Sequence, residues 1–266
     1  MAPRSTAVAL VSALLALPVV ECGSAQAGTG TVVTSAFVEE FDGPAGAPPN
    51  PDYWSVDVGS SAEHGWEAGS LQTYTDAPEN IMLDGEGNLV IRARKAGDGY
   101  TSGRMTTRDK IVFPFGTIAA RMKLPAGQGL WSAFWMLGAN AETVGWPDCG
   151  EIDIIELVND PTQYHVAVHG PEYDAVEEGA IDDLSADFHD YWMTRRENSV
   201  TIGVDDTVLA TFTPETVAPD SPWVFNDPMF VLIILAVGGT WPGPPDDSTR
   251  FPATLLVDWM RFEPLN

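Results

Sequence analysis

Apolar and polar positions alternate along much of this chain, and the period is two. Ile118, Ala120, Met122 and Leu124 interleave with Thr117, Ala119, Arg121 and Lys123, which sends alternate side chains to opposite faces of a strand. Beyond residue 27, no stretch of twelve or more residues carries a helical period. Short β-branched and aromatic runs separated by Gly, Pro, Asn and Asp predict strands at 36–41, 88–94, 116–124, 130–137, 150–157, 163–169, 188–194, 199–204, 207–212, 229–237 and 253–262. Asp205-Asp206 between two such runs predicts a tight hairpin. Leu232 to Val237 is apolar throughout, as a strand covered on both faces would be. Many short strands with frequent turns predict an all-β fold, a sandwich or jelly roll. No internal repeat or Ser/Thr-rich linker interrupts it, so residues 28–266 are read as one domain.

The first 27 residues stand apart. Arg4 precedes an apolar stretch from Ala7 to Val20, and Ala25-Gln26-Ala27 supplies a small-x-small cleavage pattern. This predicts a signal peptide over 1–27, hence a secreted, extracellular protein. The stretch is shorter than the about 20 apolar residues a membrane span needs, so no membrane attachment is expected after cleavage. Cleavage removes Cys22 and leaves Cys149 alone, so no intramolecular disulfide is expected and a hydrophobic core must carry stability. With an acidic run after it and no base nearby, Cys149 reads as a buried filler rather than a nucleophile.

Charge narrows the partners. The chain has 13 basic and 38 acidic residues, a net charge of −25. Such a field repels nucleic acid and anionic membranes and disfavours sulfated glycans. A neutral ligand fits best. Nothing suggests an obligate oligomer, and a monomer is expected.

The most informative segment is Gly150-Glu151-Ile152-Asp153-Ile154-Ile155-Glu156-Leu157. Glu151 and Asp153 share one face of a regular strand, but Glu156, five positions on, falls on the other. A single-residue bulge near Ile154 or Ile155 restores parity and gathers all three acids. Crowded carboxylates cannot all ionise, so at least one is driven to hold its proton. A carboxylic acid that stays protonated beside an ionised partner is what glycoside cleavage requires. Calcium binding and a solvated acidic edge remain open alternatives. A calcium loop, however, rarely interleaves its ligands with Ile, and a solvated edge usually carries Lys or Arg.

Sugars present apolar C–H faces that stack on aromatic rings. Trp131 and Trp135 lie four apart on one strand face, and Trp241 sits in the stiff loop Gly238-Gly239-Thr240-Trp241-Pro242-Gly243-Pro244-Pro245. Taken singly, each reads more readily as a core residue than as a ligand platform; Trp54, Trp192 and Trp259 are assigned to the core. The acidic strand resembles the bulged Glu-x-Asp-x-x-Glu signature of glycoside hydrolase family 16. Gly127-Gln128-Gly129-Leu130-Trp131, Trp146-Pro147-Asp148-Cys149-Gly150, Val168-His169-Gly170-Pro171 and Val237-Gly238-Gly239 resemble its bacterial laminarinase branch, the endo-1,3-β-glucanases.

The resemblance implies a jelly-roll β-sandwich of two antiparallel sheets with a concave substrate cleft. It implies Glu151 as nucleophile, Asp153 as its partner and Glu156 as acid/base, with Trp131, Trp135 and Trp241 lining sugar subsites and His169 near the cleft. It further implies a structural calcium at the edge of the first and last strands, where Glu40 and Asp258 are candidate ligands; catalysis itself requires no cofactor. The expected activity is endo-hydrolysis of β-1,3-glucan with retention. Alternatives on the same fold are mixed-linkage β-glucan or another glycan, transglycosylation, and a weakly active or non-catalytic β-glucan-binding protein. Departures from the family pattern fall at Ala68, Gly69 and Ser70, where relatives carry Asn and Glu, at Ile234 and Thr240, where Asn is usual, and around Trp192 to Arg196. They bear on subsite contacts and linkage preference.

Overall fold

A computed structural model describes residues 30–217 and 219–265; the predicted signal peptide and Cys22 lie outside the described residues. Two large sheets face each other across one core. The inner sheet has seven strands in the spatial order Tyr173–Ala180, Gln163–Gly170, Glu151–Val158, Leu130–Gly138, Met229–Val237, Arg104–Thr106 and Ser55–Val56. Every neighbouring pair in it is antiparallel. The outer sheet has eleven strands, with Gly116–Lys123 and Ala253–Pro264 paired at its centre. This is the jelly-roll sandwich that the turn spacing predicts. Two parallel pairings depart from it, Gln72–Tyr74 with Gly99–Ser102 and Thr31–Val32 with Ile111–Val112.

Alternation explains the packing. Ile118, Ala120 and Met122 are buried while Thr117, Ala119 and Arg121 are not. Met229–Val237 is buried at all nine positions, because one face meets the core and the other lies under the cleft wall. Leu89, Ile91, Ile152, Ile155, Val166, Ile233, Leu235, Val257 and Met260 are fully buried in one cluster. Each such side chain is worth about 1.5–3 kcal/mol relative to exposure. Cys149 is buried within this frame, and burial pushes its thiol pKa up to about 11, the filler role expected of it.

Two expectations change. Trp192 and Trp259 are only partly buried, on the open face of the outer sheet; Trp192 Nε1 donates to the Asp205 carbonyl at 2.9 Å, and Arg261 lies over Trp259 at 4.2 Å. The strand Tyr173–Ala180 appears in a segment whose Asp, Glu and Gly content carried no alternation signal; it pairs along its whole length with Gln163–Gly170. At the edge of the first and last strands, Glu40 Oε1 lies 3.2 Å from Arg261 Nη2 and Asp258 Oδ2 lies 3.4 Å from Arg121 Nε. Both carboxylates are partly exposed, each beside a guanidinium group.

Arg195 is almost fully buried, and among the described residues no carboxylate forms an ion pair with it. It donates instead to the main-chain carbonyls of Phe113, Pro114, Phe225 and Asp227. One side chain thereby fastens an outer strand to the two chain segments that lead into Gly116–Lys123 and Met229–Val237.

Candidate active site

Pairing on both sides of the acidic strand locates an extra residue. Glu151, Ile152 and Asp153 stand across from His169, Val168 and Ala167, but Glu156 stands across from His165, three steps against two. On the other side Phe134 faces Ile155 and Trp135 faces Asp153, which skips Ile154. Ile154 is therefore a bulge, and it reverses the facing of all that follows. Ile152, Ile154, Ile155 and Leu157 go into the core, while Glu151, Asp153 and Glu156 line one cleft. Gly150 opens the strand at φ +79° with Phe225 and Val224 close to where a Cβ would stand, a position that favours glycine.

The cleft has a volume of about 580 Å³. Trp131 and Trp135 line it beside the acids, and Trp131 Nε1 donates to Glu156 Oε1 at 2.9 Å. Trp241 sits at the rim with its ring edge-on to Trp131, centroids 5.3 Å apart. Trp146, 60% exposed, also lines the cleft and donates a hydrogen bond to Glu151. His169 Nε2 lies 3.1 Å from Asp153 Oδ2, and its Nδ1 lies 2.6 Å from Asp174 Oδ1. The cleft thus holds Glu151, Asp153, Glu156, Trp131, Trp135 and Trp146, with His169 against Asp153, Trp241 against Trp131 and Asp174 beyond the histidine.

Electrostatics separate the two glutamates. Burial is the first cause of the raised pKa of Glu151, Asp153 and Glu156. Glu156 is driven furthest, since the charges of Asp153 and Glu151 add to its burial and only the Trp131 hydrogen bond and the more distant His169 oppose them. Glu151 is relieved by His169, Trp146 and Arg104. The order of proton loss follows, with Glu156 keeping its proton and Glu151 the readier anion. For His169, burial pulls the pKa down, but the hydrogen bond and charge of Asp153, then Asp174, outweigh it and raise the pKa to about 10. Glu151, Asp153 and His169 are also, among the described residues, the one set of three potential ligand groups within 4.8 Å of one another. Asp153 Oδ2 and His169 Nε2 are already in contact at 3.1 Å, so we read the set as a charge-sharing unit.

Such burial has a cost, and its sign is testable. Below about pH 4.5 both folded and unfolded chains hold the Glu156 proton; above it only the unfolded chain releases it. The unfolded state then binds fewer protons, and stability falls as pH rises through that window. Glu156→Gln removes the penalty. It is expected to raise stability at pH 7 by about 1 kcal/mol or more, about 2–4 °C in Tm for a chain of this size, while abolishing turnover. Thermal scans at pH 4 and pH 7 check this, the gain appearing only at the higher pH.

The far wall of the cleft was not legible as a site. Arg104 lies between Trp66 and Trp135, 4.5 and 5.1 Å from their ring centres. Its Nε pairs with Asp57 at 3.0 Å and its Nη1 with Glu67 at 2.5 Å; Glu67 also accepts from Tyr74 Oη. Burial raises the Glu67 pKa against the pull of Arg104. No local pattern in the sequence signals this cluster, whose members meet only in the fold. The departures at Ala68 and Thr240 prove to be neighbours, because Thr240 N–H donates to the Ala68 carbonyl at 2.9 Å, and Gly69 faces Thr240. Ile234 forms the apolar floor with Ala133 under Trp131 and Trp135.

Comparison with known proteins agrees with this geometry. The β-glucanase of Rhodothermus marinus is 36% identical over 231 residues, 80% of this chain and 79% of that protein. The laminarinase catalytic domain of Thermotoga maritima superposes with a TM-score of 0.79 at 37% identity, covering 86% of this chain and 98% of that one. The endo-β-1,3-glucanase of Pyrococcus furiosus gives 0.78 at 38%, covering 85% and 92%. The family model of the glycosyl hydrolases family 16 matches residues 69–261. With the bulged acidic strand in place at the cleft, the chain belongs to glycosyl hydrolase family 16.

Proposed function

We propose that the protein is a secreted endo-β-1,3-glucanase that cleaves a neutral β-glucan with net retention. One observation carries the reading. A single bulge turns three carboxylates into one cleft, in surroundings that keep Glu156 protonated and leave Glu151 the readier anion. In the first step Glu151 attacks the anomeric carbon while Glu156 gives its proton to the departing glycosidic oxygen. In the second, Glu156 takes a proton from water, which displaces Glu151 from the sugar. Asp153 shares a proton with the nucleophile and responds to its change of charge. Nucleophile, acid and base are all carboxyl groups, so the reaction calls on no metal or redox cofactor.

Trp131 and Trp241 supply the stacking faces, and Trp131 also holds Glu156. A Trp241→Ala variant is therefore expected to raise KM about three- to tenfold, about 0.7–1.4 kcal/mol of lost stacking, with kcat within about twofold. A fall in kcat at constant KM would remove Trp241 from the binding role.

The wall formed by Ala68 to Ser70 and Thr240 offers main-chain groups where relatives are expected to carry Asn and Glu, which favours a second reading in which linkage preference differs. Reducing-end release from laminarin, lichenan and agarose separates the readings. Laminarin cleaved first, with products of several lengths early in the reaction, supports the proposal. Preference for lichenan or agarose supports the second reading, and tight glucan binding with no release of reducing ends identifies a binding protein.

A further inference from the structure

We propose that Asp174, on the exposed edge strand of the inner sheet, is a positioning residue that acts on Asp153 and Glu151 through the His169 ring. The proposal rests on the reading of Glu151 as nucleophile. Three adjacent strands carry it in register, with Glu151 across from His169 and His169 across from Asp174. The ring spans the gap, Nδ1 to Asp174 at 2.6 Å and Nε2 to Asp153 at 3.1 Å. A neutral imidazole has one N–H and can donate to one carboxylate only; two ionised carboxylates, one on each side, are both satisfied when both nitrogens carry protons. The groups facing the ring are Glu151 and Asp153 from the acidic strand, Asp174 from the edge strand, and the uncharged Trp146 ring, 6.2 Å away, from the loop before the acidic strand. Three carboxyl groups therefore surround one imidazole ring.

The two ends of the row differ in solvent. The Asp153 side chain is 4% exposed and that of Asp174 is 67% exposed. Asp153 can hold a charge in its buried position only with a cation against it. Asp174 keeps its charge in water at little cost, fixes the ring plane, and holds the Nδ1 proton. An outer carboxylate that orients a histidine for an inner partner is a recurring device for setting the state of a site. Here the beneficiary is Glu151, which must be anionic at the moment of attack and has Asp153 as its nearest like charge. With Asp174 removed, the ring is free to rotate and to release its second proton, Asp153 then takes up a proton, and the charge pattern around the nucleophile changes. The raised His169 pKa, with Asp174 among its causes after burial and Asp153, agrees with the geometry.

The test joins histidine titration by ¹⁵N NMR to steady-state kinetics on laminarin. It uses wild type, Asp174→Asn, Asp174→Glu and Glu177→Gln, the last removing an exposed carboxylate from the same strand. The chain has 4 histidines, so a His169→Gln spectrum assigns the resonance. In wild type both ring nitrogens are expected to stay protonated from about pH 6 to 9. Asp174→Asn is expected to lower the titration midpoint by about one unit or more and kcat at pH 8 by about tenfold, with KM within about threefold. Asp174→Glu is expected to recover most of the loss, and Glu177→Gln to match wild type. His169 titrating alike in wild type and Asp174→Asn overturns the proposal, and so does a shifted titration with unchanged kcat. If wild type cleaved no glucan, the functional reading would fall, and the titration would still decide whether Asp174 holds the ring.

Discussion

Glu151→Gln is expected to lower kcat on laminarin by about 10⁴-fold or more, about 5.5 kcal/mol in the barrier, with KM nearly unchanged. The amide keeps the shape of the side chain and its contact with Trp146, but its neutral oxygen is too weak a nucleophile to form the glycosyl-enzyme. The loss is confined to the transition state and therefore falls on kcat. Glu156→Ala should behave differently. An aryl glucoside whose leaving group needs no proton would still glycosylate Glu151, and the intermediate would then wait for a base. Azide needs none, so it should restore turnover and yield a β-glycosyl azide. Steady-state kinetics of both variants with and without azide measure this. Equal residual activity in the two variants, with no azide effect in either, would mean that the roles are not divided as assigned.

Arg195→Met is expected to destabilise the fold by about 3–5 kcal/mol, the largest stability effect foreseen outside the core. The guanidinium donates to the carbonyls of Phe113, Pro114, Phe225 and Asp227, of which Phe113 also accepts from Met229 N–H. Burial lowers its pKa to about 10, so it remains charged at neutral pH. Methionine fills part of the volume yet takes the guanidinium donor from the carbonyls of Pro114, Phe225 and Asp227, each costing about 1–3 kcal/mol before relaxation. Phe225 also packs beside Gly150 at the head of the acidic strand, so slackening of this segment should reach the cleft. Urea denaturation checks the size of the effect; a loss under about 1 kcal/mol would mean that water or rearranged backbone serves those carbonyls.

The strands that build the sandwich were readable because each buries one face or both. Residues 116–124, 199–204 and 229–237 announce themselves by alternation or by continuous apolarity, and they match the observed strands to within a residue. The bulge was readable for a related reason. Glu156 on the wrong face would bury a carboxylate in the core and expose an isoleucine, so the sequence makes sense only with Ile154 out of register. What the sequence hid is whatever depends on partners distant along the chain. Arg104 and Glu67 meet across 37 positions, and no local pattern marks either. The edge strand Tyr173–Ala180 obtains its order from pairing rather than from burial, so its acidic composition resembles a loop. Asp174 was invisible for the same reason, since its relation to Asp153 exists only once three strands align. Trp192 and Trp259 were misplaced because tryptophan is usually buried, whereas here both lie on the open outer face, partly covered by Arg261 or fixed through Nε1.

The account stands on Glu151 bonding to the sugar on the face opposite the leaving group and water then displacing it from the face that the leaving group vacated. Proton NMR of the anomeric region during the first minutes of laminarin hydrolysis, before mutarotation, reads this directly. The β-anomer of the new reducing end appearing first, and the α-anomer only later, is the predicted result. The α-anomer appearing first would mean a single displacement by water, and would contradict the assignment of Glu151 as nucleophile.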